Sequence, residues 1–261
     1  MSLKLKYFQK FKNVGDAFSE KVAHHYISHN IDVFENEELN SDNLIVIGSI
    51  LEWADSYSSI CGAGLIQSSS ILRHKPKNIY CVRGPLTAFF LERQGIQAGN
   101  IYGDPGLLLC KVYPSSNLKS TYKIGLVPHY VDKDSDWIDF CRAQGVLIID
   151  VLSPLDVFTK QLQQCDVILS SSLHGIVFAH SYGKPALWVE ISGKVIGDGF
   201  KFYDYYLSAG VSPEKVLRYK VSVDSSPFDL QSLAQTYDLG SVISNIEEAL
   251  YLAKKQMINE N

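Results

Sequence analysis

The second half of the chain alternates short apolar runs with amphipathic stretches. TYKIGLVPHY (121–130) predicts a strand and a loop, and DSDWIDFCRAQG (134–145) a helix stopped at Gly145. VLIIDV (146–151) predicts a fully apolar strand, after which Ser153 and Pro154 open a further helix. DVILSSS (166–172), HGIVFAHSYG (174–183) and KPALWVEI (184–191) complete the series as strand, helix and strand. Short strands without a polar face, separated by helices, predict a parallel sheet covered on both sides.

The first half carries the same pattern less cleanly. VGDAFSEKVAHHYI (14–27) and PLTAFFLERQG (85–95) read as helices, NLIVIGSIL (43–51) and NIYCVRG (78–84) as strands. NIYGDPGLLL (100–109) reads as a third strand-and-turn unit. The Ser- and Gly-rich stretch from Asp55 to Ser70 predicts a long loop over a strand edge. KVYPSSNLKS (111–120) is the candidate linker, and GSVISNIEEALYLAKKQMI (240–258) an amphipathic final helix. The expected fold is therefore α/β: two Rossmann-like lobes, 1–115 and 121–261, facing a cleft, with the last helix free to pack back on the first lobe. In such folds the carboxyl ends of the strands are the default ligand site.

Composition narrows the function classes. A length of 261 residues suits one large or two small domains. A net charge of -4 gives no global pull toward nucleic acid. The five cysteines, odd in number and without C-x-x-C spacing, read as reduced buried thiols, and no metal site is expected among them. No secretory signal and no apolar run of about 20 residues is present, so the expected location is the cytoplasm. Lys4, Lys6, Lys10 and Lys12 read as a solvated basic face, with a peripheral contact at the inner face of a membrane as the alternative.

The strongest candidate chemistry lies where the strand ending in Ser170, Ser171 and Ser172 meets a helix starting at His174-Gly175. Open N–H groups at a helix start favour an anion, the serines add hydroxyl donors, and Gly175 permits close approach. His174 at the cleft mouth can serve as acid or base; the bland alternative is a capped helix with a half-buried histidine. Arg83, at another strand end, either grips a carboxylate or phosphate or fixes its turn through a salt bridge. Asp104, in Gly-Asp-Pro-Gly, either makes an Asx-turn or faces the cleft as a base. Asp16 reads first as a helix-start acid, His129 as a strand-end group, and Lys201, Asp204 and Tyr205 as a polar and aromatic turn-and-helix segment.

Taken in order, Asn13-Val14-Gly15-Asp16, Arg83-Gly84-Pro85, Gly103-Asp104-Pro105-Gly106, Ser172-Leu173-His174-Gly175, Gly183-Lys184-Pro185 and Lys201-Phe202-Tyr203-Asp204-Tyr205 resemble the polysaccharide pyruvyl transferase family. The resemblance implies a GT-B fold with phosphoenolpyruvate as donor. The product would be a pyruvate ketal on two hydroxyls of a polysaccharide sugar or of its lipid-linked precursor, formed without a cofactor. His174 is the matched family histidine. The chemistry asks for an acid and a base, with His174 expected as the acid that protonates carbon or assists phosphate departure and Asp104, ahead of Asp16, as the base on the acceptor hydroxyl. The donor would be bound by Arg83, Ser171, Ser172 and Gly175. Some members carry Arg where this chain has Ser172, so either Lys201 or His129 supplies the missing cation or the donor is bound differently. A nucleotide-sugar glycosyltransferase of the same shape and a catalytically silent binding protein are the alternatives.

Overall fold

The computed structural model describes residues 2–11, 13–115 and 119–259; Lys12 and residues 116–118 of the candidate linker lie outside them. The first half contains β1 (Leu3–Lys6), α1 (Val14–Tyr26), β2 (Ile31–Phe34), β3 (Asn43–Ile45), β4 (Ser58–Cys61), β5 (Asn78–Cys81), α2 (Pro85–Glu92) and the one-turn α3 (Leu109–Val112). The second contains β6 (Tyr122–Val127), α4 (Asp136–Ala143), β7 (Leu147–Ile148), α5 (Leu155–Gln163), β8 (Cys165–Ser170), α6 (Leu173–Ser181), β9 (Ala186–Glu190), α7 (Phe200–Ser208), β10 (Arg218–Lys220), α8 (Pro227–Leu230) and α9 (Gly240–Asn259).

These strands form two parallel five-stranded sheets, ordered β2-β1-β3-β4-β5 and β10-β9-β8-β6-β7. Numbered within each half, both follow the same doubly wound order, second-first-third-fourth-fifth. The chain reverses direction across the sheet between β1 and β3, and again between β6 and β8. Such a switch point opens a crevice at the carboxyl ends of the two strands beside it.

One buried cluster runs through both halves, from Leu5, Val14 and Phe18 to Val127, Phe158, Phe178 and Tyr205. Phe18 of α1 meets Phe178 of α6 edge-on at 5.5 Å, and Phe158 of α5 lies 5.9 Å beyond. Helix α9 returns to pack on β4 and β5 of the first sheet. Tyr26 and Lys111 both bond Glu247 there, at 3.1 and 2.6 Å. Among the described residues no helix is long and apolar enough to cross a membrane.

Departures from the sequence expectation include three in the first half. The stretch from Asp55 to Ser70 is not simply a loop: Ser58–Cys61 is the buried β4. Its serines hide it, because they are satisfied internally: Ser58 Oγ donates to Asn43 Oδ1 at 2.7 Å. Strand β1, LKLK, lacks an apolar run because Lys6 is fully buried and paired with Asp55 at 2.5 Å. Burial alone would raise the Asp55 carboxyl, but hydrogen bonds from Lys6, the Leu39 amide, Asn43 and the Tyr57 amide outweigh it and hold it down to about 2. In NIYGDPGLLL only Tyr102 makes a bridge, to Val82, and Pro105–Leu108 is a 3-10 turn running into α3.

Candidate active site

A cavity of about 160 Å³ opens where the two switch points face each other. Asn13 and Asp16 come from the start of α1, after β1; Ser49 and Ile50 follow β3. His129 and Tyr130 follow β6; Ser172, Leu173 and His174 follow β8. Phe8, Ile66 and Lys201 complete the wall.

Local capping explains how α1 presents its acid. Asn13 Oδ1 accepts from the Gly15 amide at 2.9 Å, which fixes the first turn and leaves Asp16 at its cavity edge. Asp16 is buried, so its carboxyl is pushed up to about 7; Lys201 opposes that shift and Asp104 adds to it. Lys201, on the first turn of α7, is pushed down to about 8 by burial and by Arg83, against the pull of Asp16 and Asp132. The cavity thus holds an acid and an amine that both titrate near neutrality.

His174 occupies the centre. Its ring stacks on Phe178 at 5.8 Å, and its Nε2 is shielded with no hydrogen-bond partner. Its other edge lies so close to α1 that a Cβ built on Gly15 would sit 1.7 Å from His174 Nδ1. Burial, reinforced by Lys201 and Arg83, pushes its pKa down to about 3. His129 is pushed down likewise, first by burial and then by Lys201.

The serines divide. Ser170 Oγ donates to the Val127 and Ser172 carbonyls, and Ser171 Oγ donates to Asp132 at 2.6 Å and accepts from the His129 amide. Both therefore shape the loop, and only Ser172 lines the cavity. Gly175 packs the start of α6 onto the sheet: a Cβ there would meet Ser170 Oγ at 2.2 Å.

Arg83 lies behind the wall rather than in it. Its guanidinium donates from Nε to Asp204 at 3.0 Å, from Nη1 to Ser49 at 2.7 Å and from Nη2 to the Leu65 carbonyl at 2.6 Å. Asp204 also accepts from the amide and hydroxyl of Thr87, at the start of α2. This buried pair joins α7 to the first half and holds Ser49 at the cavity edge. Asp104 is also set back: it caps the turn by accepting from the Gly106 amide at 2.8 Å, and burial raises its carboxyl to about 6.

The structure thus gathers Asp16, His129, Ser172, His174 and Lys201 around one space and leaves Arg83, Asp104, Ser171 and Gly175 outside its lining. Sequence reasoning missed Phe8 and Tyr130, which carry no motif, and the role of Asp204, which lies 121 positions from its partner. Ser49 had a usable signal, since it follows Gly48 at the end of an apolar strand. Among the described residues no group of three or more His, Cys, Asp or Glu could hold a metal ion.

Comparison with known proteins adds an independent line. Residues 53–193 match the family model described as polysaccharide pyruvyl transferase. That span includes Arg83, Asp104, His129 and Ser172–Gly175, but not Asp16 or Lys201. The chain is 33% identical to an uncharacterised protein of Acanthamoeba polyphaga mimivirus, over 82% of this chain and 76% of that protein. It is 26% identical to the succinoglycan biosynthesis protein ExoV of Rhizobium meliloti, over 65% of this chain and 54% of that protein.

Proposed function

Since this chain belongs to the polysaccharide pyruvyl transferase family, and is therefore a transferase, we propose that it moves the enolpyruvyl group of phosphoenolpyruvate onto two hydroxyls of a sugar. The acceptor is a polysaccharide sugar or its lipid-linked precursor, and the product a cyclic pyruvate ketal. We read residues 1–115 and 121–261 as the two lobes of a GT-B-like arrangement.

The observation that carries this reading is a small cavity lined by a cation, an imidazole and a carboxyl raised toward neutrality. Phosphoenolpyruvate has a carboxylate and a phosphate on a three-carbon frame. Lys201 and the amides at the start of α6 supply complementary charge and donors. Arg83, saturated by Asp204, Ser49 and Leu65, acts through Ser49 as a positioning residue.

The step begins with a proton moving from the imidazole of His174, a residue lining the cavity, to the enol methylene, leaving a methyl group and an oxocarbenium-like central carbon. In the empty site burial and two cations keep His174 neutral. A bound donor reverses the sign of that field and lets the imidazole carry the proton. The first sugar hydroxyl adds to the central carbon, giving up its proton to Asp16. The C–O bond to phosphate then breaks as the second hydroxyl closes the ring. Asp16 passes the first hydroxyl's proton to the departing phosphate, and the second hydroxyl's proton restores His174. Asp16 replaces Asp104 as the base in this reading, because Asp104 is committed to the Gly106 amide and does not line the cavity.

The alternative donor is a nucleotide sugar. The cavity of about 160 Å³ accommodates a three-carbon acid, whereas a nucleoside diphosphate sugar would have to extend beyond it. Thermal-shift titration distinguishes the two. Phosphoenolpyruvate is expected to raise the melting temperature saturably and a uridine diphosphate sugar to leave it unchanged; the opposite pattern overturns the proposal.

A further inference from the structure

The catalytic cavity is too small to hold the donor and a whole pyranose together, so the acceptor ring must lie in adjoining space. A second cavity, of about 430 Å³, adjoins it through Phe8, which lines both. This one is walled by Val14 and Ala17 of α1 and by Leu152, Pro154 and Leu155 after β7. The two halves meet beside it, where the Val14 amide donates to the Val151 carbonyl at 2.8 Å.

Helix α1 relates the two cavities. Its first turn shows Asn13 and Asp16 to the catalytic space, and Val14 and Ala17 to the second one. A group seated on Val14 and Ala17 therefore needs to reach only around the helix start to meet the Asp16 carboxyl. The lining is mostly apolar, with Tyr7, Gln9 and Ser153 interspersed. That mixture fits a pyranose, whose C–H faces pack on aromatic and aliphatic surface while its edge hydroxyls find polar partners. The grooves beside Lys194 share no lining residue with the catalytic cavity.

We propose that the cavity behind Phe8, between α1 and residues 152–155, is the subsite for the acceptor sugar ring. It presents two of the sugar's hydroxyls past Phe8 to Asp16 and the donor. This assignment rests on the pyruvyl-transfer reading for the identity of its occupant. Its test does not use turnover.

Two filling variants, Ala17→Trp and Ser153→Trp, block the space from opposite walls. Saturation-transfer NMR with the methyl glycosides of galactose, glucose and mannose reads the sugar; calorimetry with phosphoenolpyruvate reads the donor site separately. The expected result is saturation transfer to at least one glycoside in the unmodified protein, lost in both variants while donor binding stays within twofold. Glycoside signals that persist in both filled variants, or no signal in the unmodified protein, overturn the assignment. Loss of glycoside signals in the variants together with no donor heat in any protein would keep the sugar subsite and overturn the donor reading instead.

Discussion

His174 and Gly15 come from different halves of the chain, and the imidazole fills the space a side chain on Gly15 would need: a Cβ there would lie 1.7 Å from Nδ1. The glycine of the Asn13-Val14-Gly15-Asp16 segment is thus explained by contact rather than by backbone conformation. It lets the start of α1 close on the ring that the start of α6 presents. Gly15→Ala should therefore move His174 and lower turnover. The loss should approach that of His174→Ala, which removes the proposed acid outright and is expected to lower the rate ~10²–10⁴-fold. Turnover of Gly15→Ala at the wild-type level would show that the ring's position does not matter.

Donor binding should take up protons. Lys201 sits at about 8 and His174 at about 3 in the empty site, both depressed chiefly by burial. An anion placed beside them favours their charged forms and raises both values. Near pH 8 the heat of phosphoenolpyruvate binding should therefore vary with the ionisation enthalpy of the buffer, with the sign of uptake. Proton release would contradict the placement of the donor beside these groups.

The raised Asp16 carboxyl comes at a cost to the fold. Its folded value of about 7 lies above its ordinary 3.8. A raised carboxyl favours the folded state when protonated, and that contribution is lost as pH rises from about 4 through about 7. Asp16→Asn keeps the neutral shape at every pH. It should stabilise the protein by about 1–3 kcal/mol above pH 7, with the gain shrinking toward pH 4, while abolishing transfer. Denaturant melts at two pH values check this; a pH-independent difference would contradict it.

Arg83 and Asp204 form a buried pair, 1% and 0% exposed. Removing one partner leaves an uncompensated buried charge, so Arg83→Ala should cost about 3–5 kcal/mol. Removing both, as Arg83→Met with Asp204→Leu, should recover part of that loss. A double-mutant cycle in urea gives the coupling. Additive losses would mean that the pair does not tie α7 to the first half.

The sequence made the second sheet easy to see because β9 and the carboxyl-terminal halves of β6 and β8 are buried on both faces and read as apolar runs. It concealed β1 and β4, where Lys6, Ser58 and Ser59 are buried but satisfied by partners distant along the chain. The site showed a similar split. His174 was legible as a strand-end residue at a helix start. The satisfaction of Arg83 by Asp204 was not, because only the packing of α7 against α2 brings them together. Strand order, which places the start of α1 opposite the start of α6, has no local signature at all. Together with the packing of α7 on α2 it brings Asp16 and Lys201 to one cavity.

In the proposed reaction phosphoenolpyruvate binds in the cavity between the two switch points, held by Lys201. Calorimetric titration of phosphoenolpyruvate into the unmodified protein, Lys201→Met and His174→Ala tests it most directly. Saturable binding to the unmodified protein, little changed in His174→Ala, is the expected result. Lys201→Met should bind ~10–100-fold more weakly, the worth of one charge-assisted contact. Equal affinity in Lys201→Met, or no binding to the unmodified protein, would contradict it.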